Sequence, residues 1–257
     1  MNRLIIIVLV VFTTNNVFAQ GPPITTETPI MLGLEGNGIR TFGKFISKEN
    51  ANIYVQPIAI PYNITSKFQV GAVFPFKFIT PKDSNTTGGF ADMTVFAKYQ
   101  LYKIDGKAKT FRILGLAKQT FSTGKTSSSP AIGSGLSQTY IGFVMGKLTT
   151  KKGLYADFGY NITNKNASDN FLYNFSVGVP ILPHKYPQKQ LNTYLEFNGN
   201  YVFDPKVHTF FISPGFQFIP GRRVLFETSF QIPIVQNNIT TNKTNYMVLL
   251  GTRFLIN

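Results

Sequence analysis

The sequence predicts an all-β fold: a closed antiparallel transmembrane β-barrel of about 12 strands, following an N-terminal signal peptide. Three observations point there. First, only 14% of the 257 residues are charged while 14% are aromatic, with 25 Phe and 12 Tyr. A soluble domain carries roughly 25% charge, yet a mean hydropathy of +0.03 is far too low for a bundle of membrane helices. Second, apolar and polar residues alternate with period two in run after run. Third, the links between those runs alternate between short and long.

The N-terminus reads as an export signal. Arg3 precedes an unbroken apolar stretch over 4–12, and Val17, Phe18 and Ala19 place short residues where a signal peptidase cuts. Nine apolar residues fall short of the ~20 that a spanning helix needs, so residues 1–19 are expected to be removed and 20–257 to form the barrel. With no cysteine anywhere, lipid attachment, disulfides and thiolate metal sites are excluded.

Residues 20–33 are Pro-rich and alternate poorly, which suits a periplasmic tail or a plug. Strands are then expected near 34–46, 51–61, 66–79, 89–102, 108–122, 136–149, 152–163, 169–182, 189–203, 206–219, 222–234 and 243–256. The clearest alternation sets Val224, Phe226, Thr228, Phe230, Ile232 and Ile234 against Arg223, Leu225, Glu227, Ser229 and Gln231. Phe210, Ile212, Phe216 and Phe218 likewise oppose Thr209, Ser213, Gly215 and Gln217. The second, fifth and sixth runs alternate poorly. Pro57, Pro61, Pro75, Pro180, Pro214 and Pro233 remove ladder donors and predict bulges or strand ends near the rims.

With both termini in the periplasm, the inner links are mostly short, at 63–65, 104–107, 150–152, 184–188 and 220–221. The outer links at 80–88, 123–138, 163–169 and 235–242 are longer and rich in Ser, Thr, Asn, Gly and Lys. A soluble sandwich has no reason to segregate its loops in this way. It would also have to expose Phe/Ile/Val faces far larger than the ~300–600 Å² patches of soluble monomers. Lipid removes that penalty, and closure pairs every backbone group. A secreted β-sandwich is the structural runner-up.

Several segments resemble the outer-membrane family described as putative MetA-pathway of phenol degradation proteins. They are Phe171-Leu172-Tyr173-Asn174-Phe175-Ser176-Val177-Gly178-Val179, Tyr194-Leu195-Glu196-Phe197-Asn198-Gly199, Phe211-Ile212-Ser213-Pro214-Gly215-Phe216-Gln217-Phe218 and Leu249-Leu250-Gly251-Thr252-Arg253-Phe254. A weaker stretch runs from Phe90-Ala91-Asp92 to Lys98-Tyr99. The resemblance covers about the last half of the chain. It implies an outer-membrane barrel associated with small, often hydrophobic compounds, and it carries no catalytic motif.

On the faces opposite the aromatics lie Asp92, Lys98, Asp157, Glu196, Gln217, Glu227, Gln231 and Arg253, interleaved with Asn192, Asn198 and Asn200. These are the candidate lumen or ligand-path residues. Their mixed charges either brace the interior or line a path. The expected function is a channel or transporter for small, hydrophobic or aromatic, molecules in the outer membrane of a Gram-negative bacterium. A non-conducting structural or surface-interaction barrel, using loop 123–138, is the alternative.

Other classes find little support. The chain has only two histidines, and His208 and Ser213 fall on opposite faces of one strand, so no nucleophile–base pair forms locally. No enzyme, metal site or cofactor is expected. Gly124-Lys125-Thr126 lacks the upstream glycine of a phosphate loop, since position 119 is Gln119. The net charge of +14 is spread over turns and rims, not gathered in a stripe, which excludes nucleic acid. The expected partners are outer-membrane lipids including lipopolysaccharide, a small-molecule solute and the outer-membrane assembly machinery.

Overall fold

The computed structural model describes residues 21–34, 36–164, 167–182, 189–221 and 223–256. The expected signal peptide, His184 and the link at 184–188 lie outside the described residues. The chain forms β1 (Gly38–Lys48), β2 (Ala51–Asn63), β3 (Phe68–Pro81), β4 (Thr87–Phe90), β5 (Thr94–Gly106), β6 (Lys109–Thr120) and β7 (Gln138–Thr149). It continues with β8 (Gly153–Thr163), β9 (Asn170–Pro180), β10 (Gln190–Val202), β11 (Val207–Ile219), β12 (Val224–Asn237) and β13 (Thr244–Leu255). Neighbours in sequence pair antiparallel around the wall, and β1 closes it against β13 from Gly38 opposite Leu255 to Lys48 opposite Thr244.

The wall is a closed 12-strand antiparallel barrel, because β4 and β5 share one position beside β3. β5 borders one half of β3, with Phe68 opposite Tyr99 and Val73 opposite Thr94. The short β4 borders the other half, with Phe76 opposite Phe90 and Ile79 opposite Thr87. The sequence predicts one continuous strand over 89–102; the structure interrupts it at 91–93.

Proline register explains that interruption. Pro57 and Pro75 face each other across β2 and β3. Their carbonyls point away from one another: Pro75 O accepts from Ala91 N (2.9 Å) and Pro57 O from the Thr41 hydroxyl (3.3 Å). In an antiparallel ladder the N–H and C=O of one residue address the same neighbour, so each proline withholds its donor from the outer neighbour. The β1–β2 pairing accordingly lapses between Thr41 and Lys44, and β5 separates from β4 opposite Pro75. These prolines sit within the wall, not near the rims as predicted. Pro180 does end β9, and a bulge lies at Phe210/Phe211 beside Pro233.

Sidedness is inverted relative to a soluble protein. Phe216 and Phe226 are 52% and 47% exposed, whereas Gln217 and Glu227 next to them are 0% and 4% exposed. Lipid accommodates the outer face at no hydrophobic cost. The poor alternation of the fifth and sixth predicted runs has a local cause. Leu114, Leu116, Tyr140 and Val144 point inward and pack on Met31 of the N-terminal segment, while Ile141 and Phe143 point outward. Both faces of that wall section are therefore apolar.

Of the described residues at the predicted start of the first strand, Leu34 lies in a turn and Asn37 makes only an isolated bridge with Tyr62, so the strand begins at Gly38. Gly33 has φ +95°, a left-handed conformation that glycine adopts without a Cβ penalty. Gly36 N then donates to Gly33 O (3.2 Å). This turn takes the chain from the interior into the wall at Gly38.

Candidate functional site

Residues 21–34 run inside the barrel, and the wall supplies partners for their backbone. The Pro-rich start has few N–H groups but a full set of carbonyls, and the lumen presents donors to match. Gly21 O accepts from Tyr155 (3.0 Å) and Tyr194 (2.6 Å) hydroxyls, Pro22 O from Gln217 Nε2 (2.7 Å), and Pro23 O from Arg253 Nη2 (2.6 Å). Ile24 O accepts from Arg40 Nη2.

Where backbone N–H groups resume, the wall changes from donors to carboxylates. Ile24 N and Thr25 N donate to the two oxygens of Glu196 at 2.8 and 2.7 Å, and the Thr25 hydroxyl also bonds Glu196. Ser176 completes the Glu196 shell at 3.2 Å. Glu27 N donates to Asp157 Oδ2 (2.8 Å), whose other oxygen accepts from Asn174 (2.8 Å). Ile24 packs with Tyr155, Tyr194 and Leu249. The segment is thus held at both its polar and its apolar atoms.

Two ionic groupings stand out. Arg40 and Arg253 are directly opposed across β1 and β13, an arrangement of like charges that is destabilising alone. Glu227, from β12, lies between them: Oε1 takes Arg40 at 2.7 Å and Oε2 takes Arg253 at 2.8 Å. Gly251, opposite Glu227, permits this approach, because a Cβ there would meet Glu227 Cγ at 3.1 Å and Phe42 Cβ at 2.8 Å. The second grouping is Glu27, which pairs with Lys98 (2.6 Å) and Lys118 (2.7 Å).

Beside the segment remains a cavity of about 490 Å³. Its polar lining includes Glu27, Lys98, Lys118 and Asp157 together with Arg40 and Arg253, and its apolar lining includes Phe42, Phe96, Tyr140 and Leu172. Lys118 Nζ stands 5.3 Å from the Tyr140 ring centroid, and Lys98 Nζ 5.9 Å from that of Phe96.

The structure therefore gathers Lys98, Asp157, Glu196, Gln217, Glu227 and Arg253 around the inner segment, with Gln231 nearby through Asn198 (3.1 Å). Asp92 is elsewhere, in the gap between β4 and β5. Its carboxylate accepts from Gly124 N (2.9 Å), Ser134 N (2.7 Å) and the Ser134 hydroxyl (2.6 Å). It thereby ties down the 121–137 loop, whose Ile132 is buried. Sequence reasoning missed Glu27, Arg40, Lys118, Tyr155 and Tyr194. Period-two spacing with Glu227-type neighbours could have flagged Arg40. Nothing local marks Glu27, whose lysines are 71 and 91 residues away.

Burial opposes the Asp92 charge, but the Ser134 and Gly124 hydrogen bonds and the Lys77 charge outweigh it and hold the carboxyl below its ordinary range. A depressed folded value means the loop tether is fully present above the unfolded pKa and is lost as pH falls through the lower folded one. Amide protection at Gly124 and Ser134 is therefore expected to persist at neutral pH and to fall well below pH ~4. Asp92→Asn should show reduced protection already at pH ~7; unchanged protection in that variant would show that the loop is held by other contacts.

No family model matches the chain, and no curated protein is similar to it in sequence. Among solved structures, an outer-membrane channel from Pseudomonas putida F1 superposes with a TM-score of 0.69 at 12% identity, over 92% of this chain and 100% of its own. The β domain of the Bordetella autotransporter BrkA gives 0.48 at 11% identity, over 85% and 98%. The monoaromatic hydrocarbon channel CymD gives 0.42 at 10%, over 86% and 88%. The wall geometry and the likeness to the Pseudomonas channel agree on the fold, a closed 12-strand antiparallel β-barrel of the outer-membrane type.

Proposed function

We propose that this chain is a conduit for small molecules across the outer membrane of a Gram-negative bacterium, with residues 21–34 as a plug that narrows it. The observation that carries this reading is the 490 Å³ cavity alongside a segment held by hydrogen bonds and ion pairs. Each such contact is reversible, and each wall partner sits on a strand whose ladder does not depend on the segment. The cavity joins aromatic and apolar walls to a few polar groups, the make-up of a small-molecule site. It therefore suits solutes with an apolar or aromatic body, in keeping with the resemblance to the phenol-degradation family. The likeness to the Pseudomonas channel supports passage rather than catalysis.

Lipids, lipopolysaccharide among them, surround the outward Phe and Ile belt in this reading. The outer-membrane assembly machinery inserts the barrel in the same reading. The plug itself favours a second reading, a non-conducting barrel that uses its outer loops for contacts.

Liposome swelling separates the two. Proteoliposomes of the full chain are expected to admit small aromatic or sugar-sized solutes slowly, and those of a chain lacking 21–34 rapidly. Absence of swelling in both would overturn the conduit and leave the structural barrel.

A further inference from the structure

The Glu27 side chain occupies a built carboxylate receptor. Lys98 on β5 and Lys118 on β6 are diagonal neighbours on the lumen face, since Lys98 lies opposite Leu116 and Lys118 opposite Phe96. Two ammonium groups so placed repel one another unless an anion sits between them. Glu27 supplies it, giving one oxygen to each lysine at 2.6 and 2.7 Å. Among the described residues, no other carboxylate comes within ion-pair distance of either lysine. This anion comes from the plug, not from the wall, and it borders the open cavity.

We propose that the cavity takes small organic anions, a single carboxylate on an apolar or aromatic body, and that the ligand carboxylate replaces Glu27 between Lys98 and Lys118. The inference rests on the conduit reading for how a solute reaches the lumen, and it names the solute class. Withdrawal of Glu27 without replacement would leave two neighbouring ammonium groups unpaired, that of the buried Lys98 at the greater cost and that of the partly exposed Lys118 at less. A neutral solute offers no replacement, and a cation adds to the repulsion. An anion of the same shape as the glutamate head restores both ion pairs, and its body lies against Phe96, Tyr140 and Leu172, which line the cavity next to the lysines. The volume suits a ligand of the size of a substituted benzoate or a medium-chain acid. The plug in this view is an internal competitor whose displacement is coupled to the solute's charge.

The test is equilibrium binding of 1-naphthoate, with 1-naphthalenemethanol as the neutral counterpart, to the full chain in detergent. Because the internal competitor lowers apparent affinity by the fraction of sites it fills, Glu27→Gln is expected to bind naphthoate about tenfold more tightly than wild type. Adding Lys118→Gln to that variant should abolish the gain, while the alcohol binds all three proteins alike. Heat-modifiable migration verifies that each variant is folded; if the Lys118 variant fails to assemble, Lys98→Gln in the same background makes the same test. Naphthoate affinity unchanged by Glu27→Gln, or a tenfold gain shared by the alcohol, overturns the proposal, the latter because it would mean a loosened plug rather than an emptied anion site. Binding is read without a membrane, so it can succeed where conduction fails. Conduction without carboxylate binding would sink this inference alone.

Discussion

Removal of residues 21–34 is expected to raise single-channel conductance several-fold over that of the full chain in planar bilayers. The argument begins with the lumen. A barrel of about 12 strands is intermediate between 8-stranded barrels, which side chains fill, and 16-stranded porins, which conduct. Its open cross-section is therefore decided by whatever else lies inside. Here that is an irregular segment whose carbonyls engage Tyr155, Tyr194, Gln217, Arg253 and Arg40 and whose amides engage Glu196 and Asp157. Without the segment those groups exchange their partners for water, which replaces hydrogen bonds at little net cost. The wall itself should survive, because its ladder pairs strand with strand and none of the segment's residues belongs to it. Some stability is lost where Ile24 and Met31 leave Tyr155, Leu114 and Leu116 facing water and where Glu27 leaves Lys98 and Lys118 without their anion. Equal conductance of the two proteins would mean that the segment does not narrow the path.

Glu227→Ala is expected to destabilise the folded barrel by about 3–5 kcal/mol, the range for removing one partner from a buried ion pair. Glu227 is 4% exposed and is the group that separates two opposed arginines. Its loss leaves Arg40 and Arg253 facing each other across adjacent strands. They keep the carbonyls of Ile24 and Pro23, and Arg40 the Phe42 ring 4.6 Å away, none of which carries a compensating charge. Urea titration in detergent micelles, read by heat-modifiable migration, measures the shift. The loss should be largely recovered in the triple variant in which Arg40 and Arg253 are also replaced by Met, since the penalty is the uncompensated charge and not the missing pair. If the single variant unfolds at the wild-type midpoint, lumen water already screens the arginines.

The wall strands were legible because their signal is local. A lipid belt outside and polar side chains inside impose period two on every run that contacts both, and Phe226 beside Glu227 or Phe216 beside Gln217 reports its own face without reference to any other strand. The signal failed where a tertiary partner changed the inside. Leu114 and Leu116 are apolar and lumenal because Met31 covers them, so β6 does not alternate. It failed again at Pro57 and Pro75, whose meaning depends on their being opposite each other, a matter of register.

The candidate site divides along the same line. Lys98, Asp157, Glu196, Gln217, Glu227, Gln231 and Arg253 could be placed on an inner face by counting along single strands. Asp92 could not, because the strand holding it breaks. Composition marked residues 20–33 as unfit for a strand, and both tail and plug satisfy that description. The position of 21–34 inside the wall is set by the lumen, where tyrosine, glutamine and arginine donors match proline-rich carbonyls, and by two lysines far along the chain that close on Glu27. Secondary structure and sidedness follow from forces acting over a few residues. The closed interior is assembled from strands distant in sequence, and only their convergence decides which charges meet.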